Sequence, residues 1–247
     1  MNQKLLDELS TAAAERYLDL INRFRGVLAA YIVENPRLGN KSRQLEKDLR
    51  GLGEKFLGEE LEHTQRAIDL VKDQTLLAHQ SDTGFEPSLT EYEEAFAEEV
   101  SRHIFAEVSA QIRRDIEEAK KHYLSFMLRV FVNSNLSTIE RLESAHTEAL
   151  HDFKGRIRFF FMDRSGRRIK SQAFVRLVNR AALVGYAIDL YVSQSSQRNI
   201  RQYRLIHADG NSAHHNEIVD YEGIEAMRDN IFHPNSKLFL RAINVRA

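Results

Sequence analysis

The sequence predicts an α+β protein, with a long, mainly α-helical N-terminal part and a small α+β C-terminal domain. Three observations carry that expectation. Apolar residues recur every three or four positions through most of residues 1–154, the period of one helix face. After Gly155 that beat gives way to a β-prone run, a turn, one helix and two further strand-like runs. The charge changes at the same place. Residues 1–154 hold 20 Lys and Arg against 28 Asp and Glu, residues 155–206 hold 11 against 2, and residues 207–247 hold 4 against 6. A net charge of −1 thus conceals an acidic arm or bundle (1–154) and a basic small domain (155–247).

Residues 3–34 read as an amphipathic helix carrying Leu5, Leu9, Ala13, Tyr17, Leu20, Phe24 and Tyr31 on one side, closed by Pro36. A second helix spans about 41–79, with Leu45, Leu49, Phe56, Leu61, Ile68 and Leu76 as its apolar side. Gly51, Gly53 and Gly58 each cost about 1 kcal/mol there relative to alanine, so a bend or break is expected. Ser81-Asp82-Thr83-Gly84, ahead of Pro87, marks a linker near 81–87. Ser88 and Glu91 are spaced as a capping box for a third helix running through Phe96, Val100, Ile104, Val108, Ile112 and Ile116 to about Val130. Its length, over 40 residues, implies a rod or a long hairpin. Asn133-Ser134-Asn135 interrupts it, and Ser137 with Glu140 caps a further helix to about Lys154.

Residues 156–162 form a strand in which Arg156, Arg158 and Phe160 share one face and Ile157, Phe159 and Phe161 the other. Asp163-Arg164-Ser165-Gly166 has Asp at the first and Gly at the fourth position of a type I turn. Ser171 caps a helix over about 172–196, followed by strands at 203–207 and 238–245 with a polar segment between them.

With no cysteine, disulfides, thiolate nucleophiles and Cys-based zinc sites are excluded. No apolar run approaches the roughly 20 residues of a membrane span, and the N-terminus lacks a signal-peptide pattern, so no membrane partner is expected. Neither Gly-rich phosphate loop nor a G-x-S-x-G elbow occurs. His207, His214, His215 and His233 cluster with Asp209, Glu217 and Asp220, donor types that suit zinc or another divalent metal. The alternative is a set of loop histidines bonded to backbone or water. His215, Asn230 and His233 echo the His-Asn-His order of a metal-dependent nuclease or toxin domain. Arg156, Arg158, Arg164, Arg167, Arg168, Lys170 and Arg176 form a basic block suited to neutralising phosphates without sequence readout. The same block suits docking on the chain's own acidic helices.

Two ordered motifs, Asp163-Arg164-Ser165-Gly166-Arg167-Arg168 and His233-Pro234-Asn235-Ser236-Lys237, flank a helix with Phe174 and Arg180 and a segment with His207 and Gly223. In order and spacing, residues 156–244 resemble the Mu-F-like family of tailed-bacteriophage minor capsid, or head-morphogenesis, proteins. The resemblance implies a virion protein at or near the portal, assembled in the host cytoplasm, non-enzymatic and without a cofactor. It implies a role in head assembly and in genome packaging or ejection. Portal and capsid proteins are its implied partners, with DNA bound non-specifically and self-association through the long helices. Relatives carry cysteines in the loop and after the His-Pro-Asn element, where this chain has Ser236. The implied role of Asp163, Gly166, Arg167, Arg168, Phe174, Arg180, His207, Gly223, His233, Pro234 and Asn235 is therefore structural. Two rival readings remain: a metal-dependent nuclease or toxin domain using the His-rich loop, and a non-specific nucleic-acid-binding module.

Overall fold

A computed structural model describes residues 3–33, 41–132, 140, 143, 147, 157–208, 210, 212–231 and 237–243. The fold is α+β. Three long helices, α1 (Gln3–Val33), α2 (Ser42–Thr83) and α3 (Glu91–Val132), precede short antiparallel strands. Strands β1 (Phe160–Met162) and β2 (Arg168–Lys170) form a hairpin, and α4 (Ser171–Ser196) follows at once. Strands β3 (Tyr203–His207), β4 (Ile218–Val219) and β5 (Leu238–Ala242) form an antiparallel sheet in the order β4-β3-β5, with α5 (Tyr221–Ile231) between β4 and β5. The helix expected between Ser137 and Lys154 lies almost wholly outside the described residues.

Contacts divide the chain into two units. One comprises Met1–Ala13, Leu61–Ala106 and Arg176–Ala247; the other comprises Ala14–Glu60 and Glu107–Val175. Helices α1 to α4 each contribute residues to both. Residues 155–247, expected to fold as one small domain, are divided at 175/176, and residues 1–154 are divided as well.

In the second unit, Tyr17, Phe24 and Leu28 of α1 are buried, as are Leu45 and Leu49 of α2 and Ile112, Ile116 and Tyr123 of α3. Ring contacts add to this burial, Tyr17 against Phe56 at 5.7 Å and Phe24 against Phe159 at 6.4 Å, both edge-on. In the first unit the inward residues of the sheet are Tyr203, Leu205, Leu238, Leu240 and Ala242, alternating with exposed Arg204 and Arg241. The Tyr191 hydroxyl there donates to Asp82 (2.8 Å) and accepts from the Ala242 amide (2.8 Å), tying β5 to α2 and α4.

Several expectations change in detail. Helix α2 runs unbroken through its glycines. At Gly53 the reason is steric: a Cβ there would lie 2.7 Å from Ile112 Cγ2, so the missing side chain lets α2 approach α3. Ser81, Asp82 and Thr83 are helical, and Gly84, at φ 74°, ends α2, its amide bonded to the Gln80 carbonyl (2.7 Å). The irregular segment is 84–90. The capping box is Thr90 with Glu93, two positions beyond the expected pair. The Glu93 carboxylate accepts from the Thr90 amide (2.8 Å), and the Glu93 amide donates to Thr90 Oγ1 (3.3 Å). Strand β1 starts at Phe160, and β4 and α5 occupy the segment read as a polar loop. An N-cap signal was present there: Asp220 accepts from the Gly223 amide (2.8 Å).

Ser171 opens α4, but its hydroxyl serves a buried network in the second unit. It donates to Asp115 Oδ1 (2.8 Å). Gln111 Nε2 reaches the same oxygen (2.9 Å), and Tyr17 donates to Oδ2 (2.7 Å). Burial pushes the Asp115 carboxyl up to about 6 because loss of water outweighs these three bonds and the nearby Arg114 charge.

Two predictions follow from this packing. Gly53→Ala should lower stability by about 1–3 kcal/mol through overpacking. Gly51→Ala, with open space at its Cβ, should be neutral or stabilising by up to about 1 kcal/mol. Urea denaturation of both variants separates steric from helix-propensity effects. For Asp115 the folded-state value lies above the usual 3.8, so its contribution is full below 3.8 and is lost as pH rises through about 6. Asp115→Asn, whose carbonyl can keep the bonds from Ser171 and Gln111 while that from Tyr17 is lost, carries no such dependence. The stability difference between variant and wild type should therefore move in the variant's favour by roughly 2–3 kcal/mol between pH 4 and pH 8. Denaturation at the two pH values measures that difference.

Candidate nucleic-acid interface

The β1–β2 hairpin concentrates charge on one face by register. Phe160 pairs with Lys170 and Met162 with Arg168, so these four share a face; Phe161 pairs with Ile169 on the other. Arg158 belongs with the first set, since its neighbours Ile157 and Phe159 are buried while it is exposed. The inner face is fixed by aromatic packing. Phe161 stacks on Phe174 with ring centroids 4.0 Å apart, and the Arg114 guanidinium lies 5.1 Å from the Phe161 centroid. On the outer face Arg168 lies 5.7 Å from the centre of the Phe160 ring, and Met162 is 58% exposed.

The turn holds the two strands in this register. Asp163 accepts from the Ser165 amide (2.9 Å) and hydroxyl (2.7 Å), and from the Arg167 amide (2.8 Å) and Nε (3.1 Å). Gly166, at φ 79°, donates its amide to the Asp163 carbonyl (3.0 Å), while the Asp163 amide reaches the Arg167 carbonyl (3.1 Å). This is a type I turn followed by a left-handed glycine, a hairpin closure that any Cβ at 166 would strain. Bonds from Ser165 and Arg167 hold the Asp163 carboxyl below its ordinary range, so it stays ionised and committed to the turn. Residues 157–170 thus carry five cations and one acid, and that acid is already engaged. The assembly can place Arg158, Arg164, Arg168 and Lys170 against a row of phosphates.

Other sequence-singled residues are placed elsewhere. Arg156, His233, Pro234 and Asn235 lie outside the described residues, as does the side chain of Asn230. Arg176 and Arg180 belong to the first unit, where both face Asp7 of α1, at 3.6 Å and 2.8 Å. Arg180, 5% exposed, also donates to Gln3 Oε1 (3.0 Å) and is a structural cation. Gly223 sits in the first turn of α5, where a Cβ would lie 3.3 Å from both Asp220 and Val219. The histidine-rich segment closes on itself. His215 Nδ1 accepts from the His207 amide (3.1 Å), and His214 Nδ1 lies 2.7 Å from Glu217 Oε2. Among the described residues no three His, Asp or Glu side chains assemble as a metal site.

The sequence reading missed Arg114 and Ile169 as supports of the hairpin, and Met162 as part of its outer face. Strand alternation beyond Phe160 was the available signal for Met162; Arg114, some 47 positions before Phe161, leaves none.

Asp163→Ala should speed amide hydrogen exchange at Ser165 and Arg167 on the order of tenfold, about the loss of one ordinary hydrogen bond. Mass-resolved exchange at these amides reads the effect, and unchanged protection would show that the turn closes without the carboxylate. Comparison of the chain with protein-family models, curated proteins and solved structures gave no match.

Proposed function

We propose that this chain is a non-enzymatic structural protein of a tailed-bacteriophage head, of the head-morphogenesis type, that touches the genome through the β1–β2 hairpin. The observation that carries the reading is the hairpin's one-sided basic face, locked by the Asp163–Gly166–Arg167 turn. Those three residues belong to the first motif of the resemblance, and their contacts suit the structural role it implies. The long helices supply surfaces for portal and capsid partners and for self-association. Assembly in the host cytoplasm and residence in the virion follow from that role. A second reading, a non-specific nucleic-acid-binding module outside any virion, is favoured by the same hairpin.

Particle composition separates the two. Mass spectrometry of purified particles should find the chain at low copy, and its absence from them would leave only the second reading. DNA binding tests what both share. Affinity for a random duplex should fall steeply between 50 and 200 mM salt, the probe conditions at which counterion release is readily measured. Arg164→Gln/Arg168→Gln should reduce the slope of log K against log salt by about 2. A slope unaffected by the double substitution would remove the hairpin from the interface.

A further inference from the structure

In the first unit the last turns of α2 bury an imidazole that bonds to nothing around it. His79 is 1% exposed, and neither of its ring nitrogens has a hydrogen-bond partner among the described residues. A neutral imidazole carries one N–H donor and one lone pair, so two polar groups are withdrawn from solvent without a protein partner. One turn earlier on the same face, the Thr75 hydroxyl is buried and unpartnered among the described residues as well. The His79 ring stands edge-on to Tyr191 of α4, with centroids 5.3 Å apart.

Tyr191 is the centre of the junction that pins the outer edge of β5. Its hydroxyl donates to Asp82 Oδ2 (2.8 Å) and accepts from the Ala242 amide (2.8 Å), while Asp82 Oδ1 accepts from Arg241 Nε (2.9 Å). Of the charges around His79, Asp82 on its own helix and Glu93 of α3 favour a proton on the ring, and Arg198, beyond the end of α4, opposes it. Both carboxylates are committed elsewhere, Asp82 to the junction and Glu93 to Thr90, Gln194 and Gln197. Arg198 is held by the Phe85 ring and the Glu86 carbonyl. Burial outweighs these charges and holds the imidazole below its ordinary 6.5.

We propose that His79 is a proton-operated latch: neutral, it packs against Tyr191 and leaves Asp82 to the junction; protonated, it undoes that junction and releases the outer edge of β5. An imidazolium in this position has two N–H donors and no acceptor facing it. It is matched only by drawing Asp82 away from Tyr191 and Arg241 or by leaving for water, and either course dislodges the Tyr191 ring on which it leans. The folded-state value lies below the ordinary one, so the latch is fully closed above about 6.5 and opens as pH falls. The sign is opposite to that of Asp115 in the second unit, whose contribution grows on acidification.

The test is amide-resolved hydrogen exchange of the full chain, corrected for the intrinsic rate at each pH. The Ala242 amide reports the latch, because the Tyr191 hydroxyl is its acceptor. The Ile243 amide, bonded to the Gln202 carbonyl (2.9 Å), reports the strand pairing beside it. From about pH 7.5 to about pH 5.5, protection at Ala242 should fall roughly tenfold, the ratio set by an open-state imidazole of ordinary proton affinity, while protection at Ile243 holds. His79→Phe, which keeps an aromatic ring against Tyr191, should retain Ala242 protection at both values, with circular dichroism showing that it is folded. A histidine titration of the wild type by nuclear magnetic resonance needs no variant: the His79 ring should gain its charge only together with the loss of Ala242 protection. The proposal is overturned by pH-independent protection of Ala242 in wild type or by the same loss in folded His79→Phe. Equal loss at Ala242 and Ile243 also overturns it, since the sheet is then unfolding as a whole. So does a His79 ring that titrates at its ordinary 6.5 with Ala242 still protected.

Discussion

The base of the hairpin is anchored beside a single buried carboxylate. Asp115 receives one hydroxyl from α1, an amide from its own helix and the hydroxyl of Ser171. Ser171 follows Lys170 directly, so the last residue of β2 is anchored one bond away from a network with no exposed member among Asp115, Gln111 and Ser171. The Ser171 amide, bonded to the Phe159 carbonyl (3.2 Å), brings the start of the hairpin to the same place. Such a network is favourable only when every lone pair and donor is used, because an unpaired group in a low-dielectric interior is penalised. The outward display of arginine thus rests on an inward polar lock.

The hairpin itself is short, three residues a side, and two-stranded ribbons of that size are marginal alone. Its rigidity comes from outside the ladder. The stacked Phe161 and Phe174 rings and the Arg114 guanidinium hold one face, and the four bonds to Asp163 hold the tip. Cations on a preordered surface lose less rotational freedom on meeting phosphates than cations on a loose loop. Rigidity on one side and charge on the other are separate products of strand alternation.

Much of the secondary structure was legible because its determinants are local. The three long helices announced themselves by their apolar beat, and Tyr203–His207 was bounded to the residue. Ladder-closing turn residues Asp163 and Gly166 were readable for the same reason. Misreadings arose where distant residues decide the outcome. Gly53 looks like a helix breaker until Ile112 is placed beside it. Ser171 looks like a cap until Asp115, 56 positions earlier, takes its hydroxyl. Arg176 reads as part of a basic block, yet Asp7 near the other end of the chain engages it. Helix α5 is different: Asp220 before Tyr221-Glu222 was a local signal, overlooked amid glycine, asparagine and histidine.

The sharing of α1 to α4 between the two contact units bears on how this chain can be taken apart. No unit corresponds to one continuous stretch, so excising either means severing helices mid-course. Each cut would bare the backbone donors or carbonyls of a new helix end, four at a time. The compositional step at Gly155, tempting as a seam for modular exchange, would strip structure from both units at once. The smallest transplantable piece is therefore the continuous span from α1 to β5.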